Sequence, residues 1–374
     1  DTGAVPCYNI RCKDARRHRD VKIIHAADIH LGSKMDSRFP KEIAEKRKTE
    51  VRNTFRRLAK YAAENGVCAV LLAGDVFDSD IPFKKDKDFF YNVIENTPSV
   101  DFLYLRGNHD SCGGYEGREL PNFKTFGPQW REYVYGNVAV RGIEMSAENA
   151  SSLYSTLELP KDRLNIVMLH GQTADAAGKD RVCLKRLRGK NIDYLALGHV
   201  HKPQEGKLDE RGIYAYSGCL EGRGFDETGE RGFILLDIGE EITHTFVPFS
   251  ERTIVERDVD VSGVSDAHAA SLAVREAVAF DKENLYRINL VGEVPADVGQ
   301  MGQDAEKYLA DACFYISVKD RTRRKIDAAA FEKDVSLRGE FVRAVYADEE
   351  LSEEEKEQIL RCGLRALAGE EIEL

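Results

Sequence analysis

Five apolar runs of strand length recur in the first two hundred residues, and each ends abruptly in polar residues. Residues 21–27 run into Asp28, residues 67–73 into Gly74-Asp75, and residues 100–105 into Arg106-Gly107-Asn108-His109-Asp110. Residues 164–169 run into His170, and residues 192–197 into Gly198-His199. Short, unbroken β-branched and leucine-rich runs predict strands buried on both faces. Between the first two runs, Ile43, Val51, Phe55, Leu58, Ala59 and Ala62 fall at three- and four-residue steps. That is the period of an amphipathic helix over 41–65. Gly66 stands where a C-terminal helix cap is expected. Residues 84–96 repeat the helical reading with Phe89, Phe90, Val93 and Ile94. Strand alternating with helix predicts an α/β sandwich.

After Arg211 the texture changes. Residues 213–216, 232–238 and 242–247 read as strands in antiparallel succession, with Gly239-Glu240-Glu241 as a turn. A boundary is expected at 250–253. Beyond it come a strand (254–259), a helix (266–280), a strand (285–291), a helix (302–312) and a strand (314–318), a second and smaller α/β unit. Two helices, 327–346 and 352–368, close the chain, the second opened by a Ser352/Glu355 capping box. Residues 1–20 carry Arg11, Arg16, Arg17 and Arg19 and are expected to form a loose extension, or alternatively an arm for nucleic acid. The expected organisation is an extension (1–20), a main domain (21–250), a smaller domain (251–325) and a helical tail (326–374).

The charge changes this picture only locally. The formal net charge of −11 over 374 residues excludes a surface that coats nucleic acid everywhere. It leaves room for a basic groove, because binding follows local charge. The eight cysteines are scattered without a CxxC pair, against a zinc ribbon and in keeping with a reducing cytoplasm. No apolar run approaches the ~18 residues of a membrane span.

The polar strand ends carry the candidate chemistry. In open α/β sheets, sites form beyond the carboxyl ends of strands. Five strands here bring Asp28, His30, Asp75, Asn108, His109, His170, His199 and His201 to that rim. Taken singly, such a residue is usually a turn or a cap. Taken as a set, they are a store of imidazole nitrogen and hard oxygen, a mixture that suits manganese, iron or zinc better than calcium or magnesium.

The series D-x-H, G-D, G-N-H-D, H and G-H-x-H resembles that of the calcineurin-like metallophosphoesterase superfamily over about residues 21–250. The segments 25–32, 74–78 and 216–229 look like those of SbcD-type exonuclease subunits of DNA repair. The resemblance implies an α/β fold: a β-sandwich flanked by helices, with a smaller α/β capping domain that binds DNA and C-terminal helices. It implies two divalent ions, manganese foremost, with iron, zinc or magnesium as alternatives. One ion would be held by Asp28, His30, Asp75 and His201, the other by Asp75, Asn108, His170 and His199. Asp75 would bridge, and His109 would be the catalytic histidine beside the leaving oxygen. Water activated between the ions would attack phosphorus. The activity implied is a DNA exonuclease and endonuclease, working with an SbcC-like coiled-coil ATPase. The tail helices, with apolar stripes on charged helices, either dock that partner or fold back on their own domain. A stand-alone phosphatase or cyclic-nucleotide phosphodiesterase is the alternative.

Further residues follow from position. Arg223 lies in a motif loop and is the preferred phosphate contact. Basic runs at Arg47, Lys48, Arg52, Arg56 and Arg57, at Lys185–Lys190, and at Arg321–Lys325 are candidate DNA contacts. Phe77, Tyr115 and Phe126 either stack on bases or belong to the core. Helix 84–96, with Phe83, Phe89, Phe90 and Tyr91, is the candidate homodimer contact, with intramolecular core as the equal alternative for its rings. Asp78, where eukaryal and archaeal relatives carry histidine, either orients a neighbouring histidine or caps a turn.

Overall fold

The computed structural model describes residues 7–9, 21–110, 118–295, 298–325, 331 and 333–367, with the backbone alone for 7–9, 361 and 365. Apart from that short segment, the expected extension 1–20 lies outside the described residues, as does Tyr115. The chain divides into two compact units, Asp1–Ile254 and Val255–Leu374.

The first unit contains β1 (Cys7–Asn9), β2 (Val21–Ala26), α1 (Lys41–Glu64), β3 (Val67–Ala73), α2 (Lys84–Glu95) and β4 (Asp101–Leu105). It continues through β5 (Phe123–Thr125), β6 (Arg131–Tyr135), β7 (Val138–Gly142), α3 (Leu153–Thr156), β8 (Leu164–His170), β9 (Gln172–Ala174), β10 (Arg181–Cys183) and α4 (Leu184–Leu187). It ends with β11 (Tyr194–Gly198), β12 (Gln204–Lys207), β13 (Ile213–Tyr216), β14 (Gly232–Ile238) and β15 (Ile242–Pro248).

Two sheets stack face to face. One has the order β15-β14-β2-β3-β4-β5, the other β1-β6-β7-β8-β11-β13-β12. The period of two along each strand explains the unbroken apolar runs. Ile23, Ala69, Leu71 and Leu103 of the first sheet meet Val140, Ile166, Met168 and Ala196 of the second in one buried cluster. On the outer face of the second sheet, Val167, Leu169, Leu195 and Leu197 pack with Leu153 and Leu187 from α3 and α4. The residues between them in the first sheet, Val70, Leu72, Phe102 and Tyr104, are also fully buried. They lie on the side of α1 and α2, where the rings of Phe55, Phe90 and Phe102 meet.

α1 stops where its pattern stops: Asn65 caps it and Gly66 turns at φ +68°. On α2, Phe90 and Tyr91 are internal, against Phe55, Phe77 and Phe123. Two of the four rings named for a contact between copies, Phe90 and Tyr91, are therefore core, whereas Phe89 is half-buried and Phe83 exposed. Phe77 and Phe126 are buried as well, which settles their alternative in favour of packing.

Two features depart from the sequence reading. The strand at 213–216 does not join the antiparallel series. It pairs parallel with β11 in the second sheet, while β14 and β15 form a hairpin in the first. The β6–β7 hairpin is the other departure, although Gly136-Asn137 closes it in two residues, with Tyr135 opposite Val138 and Gly136 at φ +58°.

The second unit begins in β16 (Ile254–Asp260) and holds α5 (Ala267–Ala277), β17 (Leu285–Val291), β18 (Glu293–Val294), α6 (Gly302–Leu309), β19 (Tyr315–Asp320) and β20 (Arg323–Arg324). Its sheet has the order β16-β17-β19, with β17 and β19 parallel. Its own core joins Ile288, Leu290, Ile316 and Val318 to Ala270, Val274, Ala305 and Leu309 of α5 and α6. α7 (Leu337–Ala347) and α8 (Glu353–Leu367) bury Val342, Val345 and Leu360 between them. The capping box forms, with Ser352 N donating to Glu355 Oε2 at 2.9 Å and Glu355 N to Ser352 Oγ at 3.3 Å. Among the described residues no helix is long and apolar enough to cross a membrane.

Candidate metal centre

The five strand ends of the first unit converge at one rim of the sandwich. Turning so sharply there forces unusual backbone. Among the described residues, the non-glycine residues at positive φ include Asp28 (51°), His30 (51°), Asp75 (50°) and His199 (103°). Such conformations cost roughly 1–3 kcal/mol each and persist where surrounding structure imposes them. The motif glycines serve close approach. A Cβ on Gly74 would lie 2.0 Å from His170 Nδ1, and one on Gly198 would lie 1.9 Å from the Ala73 carbonyl oxygen.

Among the described residues, three groups of side chains could hold a metal: Asp28, His30 and His201; Asp75, His170 and His199; and His30, Asp78 and His109. The first two carry the residues expected from the motif series. His30 Nε2 and His201 Nε2 face each other at 3.2 Å. Asn108 Oδ1 lies 3.0 Å from His170 Nε2 and 2.9 Å from His199 Nδ1. Asp75 stands between the clusters, its Oδ2 3.4 Å from His170 Nε2 and 3.9 Å from His30 Nε2. Asp28, His30, Asp75 and His170 are buried, whereas His109 is exposed beside them, its ring centroid 4.9 Å from that of His30.

Three of the four imidazoles have an oxygen beside their other nitrogen. His170 Nδ1 donates to the Ala73 carbonyl at 2.9 Å. His30 Nδ1 lies 2.9 Å from Asp78 Oδ1, and His201 Nδ1 2.8 Å from Glu227 Oε1. Nε2 of all three faces the other groups of the site, the nitrogen a metal would take. Asp78 thus lies against His30 and also pairs with Arg223. The set fits a pair of divalent cations: imidazole lone pairs that repel one another in pairs, a neutral amide oxygen, and a carboxylate between the two clusters.

Electrostatics points the same way. Burial, with the nearby Asp75 charge, raises the Asp28 carboxyl to about 6. Burial opposes charge on His170 too, but the adjacent Asp75 carboxylate outweighs it and lifts the imidazole to about 9. The same His170 holds Asp75 below the usual carboxylate range against its own burial. His30 falls to about 4 because burial disfavours its cation. The two buried carboxylates draw positive charge into the rim, and a divalent cation supplies it while releasing the His170 proton.

Arg223 takes a place other than the one read from sequence. It is buried, with Nη1 3.0 Å from Asp78 Oδ1 and Nη2 2.7 Å from Glu227 Oε1. Its guanidinium holds the two carboxylates that aim His30 and His201, so it is a positioning residue rather than an open phosphate contact. Glu227, which the sequence reading misses, is also held below its ordinary range: burial opposes, and His201 and Arg223 outweigh it. Asp110, in sequence only the end of a motif, fixes the 107–110 turn. It accepts from Gly107 N at 2.7 Å, Val76 N at 2.9 Å and Tyr104 Oη at 2.5 Å. Of the first basic run, Arg47 is fully buried and bonded to Glu221, and so unavailable to DNA.

A model of the calcineurin-like phosphoesterase family matches residues 21–203. Among curated relatives, the chain is 28% identical over 240 residues to the uncharacterized metallophosphoesterase YhaO of Bacillus subtilis, covering 59% of this chain and 58% of that one. It is 26% identical over 260 residues to the DNA double-strand break repair protein Mre11 of Methanosarcina acetivorans, covering 65% and 41%. It is 23% identical over 295 residues to the SbcD component of the SbcCD nuclease of Staphylococcus epidermidis, covering 64% and 73%. The chain thus spans about three fifths and two fifths of the length of the first two. With the family's motif series closing on a single centre, this chain carries a calcineurin-like metallophosphoesterase domain over residues 21–203.

Proposed function

We propose that the chain is a metal-dependent phosphodiesterase acting on DNA, the nuclease component of an SbcCD-like repair complex. The observation that carries the reading is the shared carboxylate: Asp75 lies between the two ligand clusters, its Oδ2 3.4 Å from His170 Nε2 and 3.9 Å from His30 Nε2. Asp28, His30, Asp75 and His201 would hold one cation, and Asp75, Asn108, His170 and His199 the other. Two divalent cations, manganese foremost, supply a water nucleophile at neutral pH and a clamp on the phosphoryl oxygens. His109, exposed at the rim, donates a proton or a hydrogen bond to the leaving oxygen. Asp78, Glu227 and Arg223 keep His30 and His201 in register. The likeness to Mre11 and to the SbcD component of SbcCD supports DNA as substrate.

The partner reading rests on the tail. Leu337, Ile359 and Leu367 are exposed on α7 and α8, and we assign them to the dock for a coiled-coil ATPase. Self-association has less support, since the rings of α2 are mostly internal.

The deciding assay sets single- and double-stranded DNA and bis-p-nitrophenyl phosphate against p-nitrophenyl phosphate, with manganese added. Cleavage of DNA and of the diester is expected. Cleavage of the monoester alone would make the chain a phosphatase and end the nuclease reading.

A further inference from the structure

β16 starts at Ile254, the last residue of the first unit, and carries the chain onward. The residues leading into it are tied to the 216–229 loop and to α1. Glu251 N donates to Glu221 Oε2 at 2.7 Å, and Arg252 Nε donates to Glu50 Oε1 at 2.7 Å. Gly229 N then donates to the Ile254 carbonyl at 2.8 Å, forming an antiparallel bridge between the two residues. Ile254 is 1% exposed. A Cβ on Gly222 would stand 3.0 Å from Ile254 Cδ1 and 3.1 Å from the Glu227 carbonyl oxygen. The bare glycine therefore lets the side chain of Ile254 and the backbone of Glu227 close on one spot.

The same loop reaches the metal centre. Glu227 Oε1 lies 2.8 Å from His201 Nδ1, and Oε2 accepts from Arg223 N at 2.7 Å. Little slack is left between the two ends. Glu221, itself buried, accepts from Arg47 and Thr54 of α1 as well as from Glu251. Glu227 N donates to the Gly224 carbonyl at 2.9 Å. Close-packed interiors transmit strain rather than absorb it. A shift at Ile254 is thus passed to Glu227, and a carboxylate bonded to a ligating imidazole governs how well that imidazole binds.

We propose that the start of β16 is a positioning element of the metal centre. Seated against Gly222 and paired with Gly229, Ile254 holds the loop in the form in which Glu227 meets His201. Displacing β16 there loosens the cation held with His201. By reciprocity, filling that site tightens β16 onto the loop. The inference rests on His201 as a metal ligand and is independent of DNA as the substrate.

Manganese binding to the full chain, followed by calorimetry, tests the route. Gly222→Ala sets a methyl against both Ile254 and Glu227. It should weaken one of two sites about tenfold, the low end of the loss when such a support is removed. Adding Ile254→Val takes away Cδ1, the atom nearest that methyl, and should return the site to the affinity of Ile254→Val alone. A merely damaged loop would not be repaired by a second truncation. Amide exchange on wild type needs no substitution. Manganese should slow the Gly229 amide about tenfold, beyond any slowing in the β14–β15 hairpin. Unchanged affinities in Gly222→Ala, a loss that Ile254→Val does not relieve, or an unchanged rate at Gly229 overturns the coupling and leaves the metal centre standing. If wild type takes up no manganese, the coupling and the metal reading fall together.

Discussion

A carboxylate that faces two cations has two equivalent oxygens to offer, and neither an amide nor an imidazole can do the same. Asp75→Ala should therefore lose both ions together, read as metal content after gel filtration, along with hydrolysis of bis-p-nitrophenyl phosphate. His109→Ala should keep its metal and lose about 10²–10⁴-fold in turnover, the range for a missing general acid. Normal turnover in that variant would remove His109 from the chemistry. His25 makes a different kind of prediction. It is buried, donating from Nε2 to the Leu197 carbonyl at 3.1 Å and accepting at Nδ1 from Tyr194 Oη at 2.9 Å. Burial lowers its pKa to about 3, against the weaker pull of Leu197. An unfolded histidine takes up its proton below ~6.5, so this site favours unfolding as pH falls from there towards 3, at about 1.4 kcal/mol per unit. At pH 5 the loss is about 2 kcal/mol, and His25→Gln should escape most of it in paired thermal melts at pH 7.5 and 5. The side chains that meet at the rim are legible in the sequence because each belongs to a short motif at a strand end. The role of Arg223 is not, because its partners Asp78 and Glu227 come together only through the fold.

At the scale of elements, the segment 216–229 explains why a loop without ligands resembles a family so closely. Cys219 N donates to the His201 carbonyl at 3.0 Å, and Ala27 bridges to Cys219, so the loop is stitched to two ligand-bearing strand ends. Glu221 accepts from Arg47 at 2.7 Å and from Thr54 at 2.8 Å, tying the same loop to α1. Glu227 then aims His201. Removing such a buttress typically costs 10–100-fold in metal affinity. Glu227→Gln should weaken manganese binding by about that factor at one of two sites, seen as a split in a calorimetric titration. A uniform loss at both sites, or none, would show that the carboxylate does not act through His201. Strands and helices are readable here from periodicity, since period-two burial and period-3.6 stripes are local. Sheet membership is not: Ile213–Tyr216 has the pattern of a strand in either sheet, and its parallel pairing with Tyr194–Gly198 is a tertiary choice.

For the whole molecule, a net charge of −11 must be reconciled with a polyanionic substrate. The fold makes this harder, because several basic residues are already taken by partners within the chain. Arg47 is buried, Lys185 pairs with Asp175 at 2.7 Å, and Arg188 donates to the Leu208 carbonyl at 3.1 Å. In the second unit Arg324 is likewise taken, by the Val298 and Gly299 carbonyls, whereas Arg321, Arg323 and Lys325 are exposed. If those three contact phosphates, each adds about 0.7 to the slope of log K against log salt on single strands. Replacing all three by Ala should lower that slope by about 2, in binding isotherms over a salt series. Hydrolysis of bis-p-nitrophenyl phosphate should hold, because every metal-ligating side chain belongs to the first unit, which has its own core. An unchanged slope would mean that the second unit's exposed cations do not hold DNA, and that the phosphate contacts lie with the first unit.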